Sequence, residues 1–155
     1  MVVDHPLVCF WSRKLPRCIF LSDLHDGDNK KNLQHVQFES DIIAQGNYSV
    51  YGRRSSMIGV LMLNHARKST ILIRLKVPQP FKKQIFRSTE NWKTYSTSFG
   101  NDVYNELVKH DGQEWTAFCY KDKESDQTCI VLFSSTKIFL LTEEGLECIF
   151  ENNDK

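Results

Sequence analysis

Between residues 53 and 93 the chain carries Arg53, Arg54, Arg67, Lys68, Arg74, Lys76, Lys82, Lys83, Arg87 and Lys93 against a single acid, Glu90, a net +9. Guanidinium and ammonium groups are the side chains that recognise carboxylates and phosphates. The aromatic residues Phe81, Phe86, Trp92 and Tyr95 interleave with Lys82, Lys83, Arg87 and Lys93, the mixture of stacking faces and cations with which single-stranded nucleic acids are held. No RNP, KH or zinc-finger signature accompanies it. From residue 101 onward the balance reverses: five lysines face twelve acids, a net −7, although the whole chain sums to +1. Such a dipolar chain steers an acidic or polyanionic partner. The plainer reading places Phe81, Phe86 and Trp92 in a core and leaves the cations to solvate the surface.

A second group of residues invites a catalytic reading. Ile19-Phe20-Leu21-Ser22-Asp23-Leu24-His25 sets an Asp and a His two apart at the end of a strand-like run, where both could ligate one cation that activates water. The stretch resembles the first block of the calcineurin-like metallophosphoesterases, and the resemblance implies a two-metal hydrolase. It covers this block alone. The Gly-Asp, Gly-Asn-His and later histidine blocks of that family are missing: Gly46-Asn47 runs into Tyr48, and the other histidines are the scattered His5, His35, His65 and His110. The chain also lacks a phosphate-binding glycine loop, a Gly-x-Ser-x-Gly elbow and any C-x-x-C pair. The expectation is a non-enzyme with no catalytic, metal or cofactor site, in which Asp23 and His25 belong to a strand running into an acidic turn.

The elements that position these residues read as strands. Met57 to Leu63 is a continuous apolar run, and after the polar segment 64–69 the residues Ile71, Ile73, Leu75 and Val77 alternate with Leu72, Arg74 and Lys76. The pattern predicts a hairpin whose first strand is covered on both faces and whose second shows Arg74 and Lys76 to solvent. Arg67 and Lys68 fall in its turn, whereas Arg53 and Arg54 precede the first strand and return near Lys76, Lys82 and Lys83. Residues 129–133, 137–141 and 146–150 predict a three-stranded meander, with further strands at 7–11, 17–21, 35–39, 48–51 and 114–120. Residues 29–45 fit helix and strand templates equally. One short helix is expected after Asn101 as cap, with Val103, Leu107 and Val108 as its apolar stripe and Gly112 as its stop.

Cysteines 9, 18, 119, 129 and 148 are odd in number and mostly sit in apolar runs, which suits buried free thiols in a reducing compartment, cytoplasmic or nuclear. No signal peptide is legible, and no apolar run reaches the roughly 20 residues of a membrane span. A chain of 155 residues is long enough to bury its own core. The expected fold is therefore mainly β: an antiparallel sandwich or partly closed barrel with one short internal helix, a single domain over 1–155. Its abrupt end after a strand-like run suits the N-terminal domain of a longer protein. The expected function is a protein–protein interaction module of an intracellular assembly, an adaptor or scaffold. Its contacts would come from an exposed sheet edge or from Arg53, Arg54, Arg67, Lys68, Arg74, Lys76, Lys82 and Lys83, and its partner would be a protein with an acidic surface. The alternative is a nucleic-acid-binding β domain that uses residues 53–95.

Overall fold

Alternating and continuous apolar runs make this chain a β protein, and a computed structural model describes it over residues 2–4, 7–23, 34–76, 93–110 and 115–152. The strands are β1 (Val2–Asp4), β2 (Leu7–Ser12), β3 (Leu15–Asp23), β4 (Gln34–Gln37), β5 (Asp41–Val50), β6 (Arg53–Asn64), β7 (Ser69–Lys76) and β8 (Lys93–Phe99). After the helix α1 (Asn101–Val108) come β9 (Thr116–Lys121), β10 (Thr128–Phe133), β11 (Lys137–Thr142) and β12 (Gly145–Glu151). The first four strands form a small sheet in sequence order, and the other eight form a second sheet in the order β12-β11-β10-β9-β5-β6-β7-β8. The large sheet curls into a half-barrel around α1, which packs against both β7 and β12. The expected mainly β fold, with a partly closed barrel and one short helix, is the one formed. Among the described residues all pairings are antiparallel except β5 with β9, whose parallel register sets Tyr48 opposite Cys119.

Two cores explain the apolar runs. The inner face of the curl buries Tyr48, Leu61, Leu63, Leu72, Ile130, Leu132, Phe139 and Leu141 with Val103, Tyr104 and Leu107 of α1. The outer face of β5 to β7 buries Ile42, Ile58, Val60, Met62 and Leu75 with Ile19 of the small sheet. Strand β6 supplies both, so Met57 to Leu63 is apolar at every position except Gly59, and its two-sided burial is as expected.

Several expectations need correction. Residues 29–45, open between helix and strand by pattern, are strand where described, as β4 and the first half of β5: the register shift between Ile42 and Ala44 breaks the two-residue period that would mark a strand. Arg53 and Arg54 lie inside β6, paired with Val50 and Ser49, and not ahead of it. Strand β8 covers Tyr95, a residue read above only as a stacking face. The helix cap is Gly100, in extended conformation and without a side-chain cap; Val103 N–H donates to its carbonyl at 3.1 Å. Tyr104 joins the buried stripe and Val108 is left at the surface. Gly112 lies outside the described residues, as do His25 and Val77.

Candidate functional site

The hairpin β6–β7 places the basic residues at its two ends. Arg53 and Lys76 are exposed at one end, and Arg67 and Lys68 at the turn of the other. In that turn Arg67 N–H donates to the Asn64 side chain at 3.0 Å, and Lys68 adopts a left-handed φ of 51°. Eight residues of strand separate Lys68 from Lys76, roughly 25 Å at 3.3 Å per residue. The backbone of Arg54 belongs to the first end, and Lys82 and Lys83 lie outside the described residues. The described cations therefore form two clusters and not one continuous patch.

Arg74 departs from the expected solvent-facing position. It shares a face with Leu72, and that face is the inner one. Register sets it between Gly59, which has no side chain, and Tyr95. Its guanidinium lies over the rings of Tyr48 and Tyr95 at 5.5 and 5.6 Å and donates to the Tyr48 hydroxyl at 3.4 Å and to Thr97 Oγ1 at 3.3 Å. Nε is buried without a hydrogen-bond partner. No carboxylate pairs with it among the described residues, so aromatic faces supply most of its compensation. Arg74 is a packing cation, half-buried, and is withdrawn from any surface patch.

The larger exposed feature lies on the other side of the sheet. Because Ala117, Cys119, Ile130, Leu132, Phe139 and Leu141 face inward, strand alternation turns their neighbours outward. Cross-strand register aligns these in two rows. One runs Phe118, Val131, Leu140, Glu147; the other runs Thr116, Phe133, Ile138, Phe150. Phe118, Phe133 and Phe150 are 47, 40 and 55% exposed, and the strands that carry them span roughly 15 Å at 4.8 Å per strand. The corresponding face of β5 to β7 is covered by the small sheet. At the edge, β12 ends the sheet order and leaves Ile149 52% exposed.

Acidic turns close one end of this face. The β9–β10 turn carries Asp122, Glu124 and Asp126, the β11–β12 turn Glu143 and Glu144, and Gln127 Nε2 to Glu144 Oε1 at 3.5 Å brings the two turns together. Tyr51, left-handed at φ 51°, donates its hydroxyl to Asp126 at 2.6 Å, and the Lys121 ammonium sits 3.4 Å from the same oxygen. That hydroxyl, with Lys121 second, holds the Asp126 carboxyl below its ordinary range, and their own contacts with Asp126 raise the Tyr51 phenol and the Lys121 ammonium.

A polar network occupies the junction of the sheets. Asp41 receives Arg17 Nε at 3.0 Å and lies 3.1 Å from His65 Nε2, while His65 Nδ1 meets the buried Tyr104 hydroxyl at 2.7 Å. Among the described residues no group of three or more His, Cys, Asp or Glu side chains could hold a metal, and no helix is long and apolar enough to cross a membrane. Cys18, Cys119, Cys129 and Cys148 are free thiols. Cys119 is buried enough for its pKa to be pushed up to about 12, but Cys148 is exposed, against the expectation of burial.

Sequence reasoning passed over Phe118, Phe133, Ile138 and Phe150 as contact residues. The available signal was residues 129–133, apolar at every position, a pattern that ordinarily means burial on both faces. No family model, no curated protein and no solved structure matches this chain. The functional reading accordingly rests on its own residues.

Proposed function

We propose that the chain is a protein-interaction module whose contact surface is the outer face of β9 to β12. One observation carries this reading: three phenylalanines, with Val131, Ile138 and Leu140 between them, stand in two aligned rows on a sheet face that the small sheet leaves open. Contiguous exposed apolar surface of this kind marks a site where another surface is buried. The partner that fits is a protein segment with an apolar stripe and lysines or arginines at one end, because the face ends in Glu147 and in the turns holding Glu143, Glu144 and Asp122. The free edge of β12 offers main-chain pairing to an extended partner beside it. This moves the proposed contact from the basic residues to the acidic third of the molecule. The role remains that of a non-enzymatic adaptor, and the odd cysteine count supports a reducing, intracellular setting.

The test is a photo-crosslinking residue at position 133, with one at exposed position 67 as control, in cells and with nuclease treatment. The expected adduct is a protein, crosslinked from 133 through an apolar segment flanked by cations. It should be lost, by tenfold or more, in Phe118→Asp and Phe150→Asp variants that keep their thermal midpoint within a few degrees, because both positions are at the surface. Adducts that form equally from position 67, that vanish with nuclease, or that map to acidic segments would sink the reading, the second of these in favour of nucleic-acid binding.

A further inference from the structure

At the junction of the sheets a cavity of about 230 Å3 opens between the β2–β3 turn, the start of β5, the end of β6 and the end of α1. Two indoles wall it: Trp11, half-buried on the small sheet, and Trp115, 9% exposed beside the large one. Its polar lining is Arg13, Asp41, His65 and His110, and the remainder is aliphatic.

These polar groups are not equivalent. Asp41 is engaged on one oxygen by Arg17 and on the other by His65, and His65 has its second nitrogen on Tyr104. The cavity's one carboxylate is thus neutralised within the protein, and its adjoining imidazole is saturated. His110 differs. Its ring packs edge-on to Trp115 at 6.2 Å and against Phe139 at 5.2 Å, and its Nε2 lies 3.8 Å from Glu106, too far for a hydrogen bond. A guanidinium has five donors and can serve more than one acceptor. From Trp11, Arg13 and Trp115 an open groove continues outward past Ser12 and Lys14, which adds a second cation at the mouth, and reaches the phenylalanine face at Thr116.

We infer that this cavity binds a small organic anion built on a single flat ring, its ring between Trp11 and Trp115 and its phosphate or carboxylate on Arg13 and His110. Indoles stack flat rings, and guanidinium pairs with oxyanions in a planar, bidentate manner. The volume falls below the range of about 300–1,000 Å3 of sites for larger ligands, which sets one ring and one anionic group as the occupant.

The probes are phenyl phosphate, benzoate, phenol and inorganic phosphate, titrated into the full chain. Binding is read from the indole N–H resonances of its three tryptophans, assigned with single Trp→Phe variants. Phenyl phosphate or benzoate should shift Trp11 and Trp115 saturably, and the stronger of the two identifies the preferred anion. Phenol and inorganic phosphate, each lacking one half of the recognition, should bind at least about tenfold more weakly. Arg13→Ala and His110→Gln, each checked for an unchanged thermal midpoint, should each weaken the aryl anion about tenfold, with Arg67→Ala neutral. Three results would overturn the proposal: no saturable shift from either aryl anion, phenol as strong as both, or undiminished binding in Arg13→Ala. None of these readouts involves Phe118, Phe133 or Phe150, on which the proposed protein contact rests.

Discussion

At the scale of single residues, charged side chains are held in ways specific to their neighbours. Asp126 is the exposed example. Its carboxyl is depressed chiefly by the Tyr51 hydroxyl and then by Lys121. A carboxyl whose folded pKa is lowered contributes stability above its unfolded value and loses that contribution as pH falls through the lowered one. The same bond raises the Tyr51 phenol, whose contribution is complete below its unfolded value and is lost as pH rises through the raised one. Tyr51→Phe removes the main donor. Followed by carboxyl-carbon NMR, Asp126 should then titrate at higher pH, closer to an ordinary Asp but still below it because Lys121 remains. An unmoved titration midpoint would show that the hydroxyl does not hold this carboxylate. Arg74 makes the complementary point: no carboxylate approaches it among the described residues, and two tyrosine faces take that place.

At the scale of elements, the parallel contact of β5 with β9 is the joint between the antiparallel halves of the large sheet. Gly46 lies against Ala117 just ahead of the paired residues, and a Cβ added to it would strike the Ala117 carbonyl oxygen, which is backbone and cannot swing aside. Gly46→Ala should therefore cost about 2–3 kcal/mol, the upper end for overpacking a filled core. Gly100 has open space around it and extended angles suited to a helix cap. Gly100→Ser should change stability by less than about 0.5 kcal/mol, in the stabilising direction. Urea unfolding midpoints of the two variants measure this contrast, and equal midpoints would mean that the strands part easily at Gly46.

For the whole molecule, the decisive feature is that β6 belongs to both cores, with Leu61 and Leu63 in one and Ile58, Val60 and Met62 in the other. Neither sheet can lose its packing without exposing a strand of the other. The two sheets are expected to unfold as one unit, so that far-UV and near-UV circular dichroism trace coincident urea transitions. Ile19→Ala, a fully buried contact of the small sheet, should shift both together by about 2–4 kcal/mol. Two separated transitions would show that the small sheet is an independent unit. Charge is divided across the same architecture: basic residues mark the ends of the β6–β7 hairpin, while acidic turns border the apolar face of β9 to β12.

Local pattern was enough for the β class, the hairpin of β6 and β7, the meander of β10 to β12 and the single helix, because each is written in the order of neighbouring residues: runs, alternation and turn signals. Where a bulge disturbed the two-residue period, as at Ile42 and Ala44 in β5, the same reading left helix and strand open. The candidate surface was less legible still. Residues 129–133 read alike whether one face or both are covered, and Arg74 and Lys76 have the same parity although one is held by Tyr48 and Tyr95 and the other is exposed. Alternation says which residues share a face, but strand order, curl and the docking of a second sheet decide which face meets water. Those are long-range pairings, Tyr48 with Cys119 or Ile138 with Phe150, and they turned Phe118, Phe133 and Phe150 outward and drew Arg74 in.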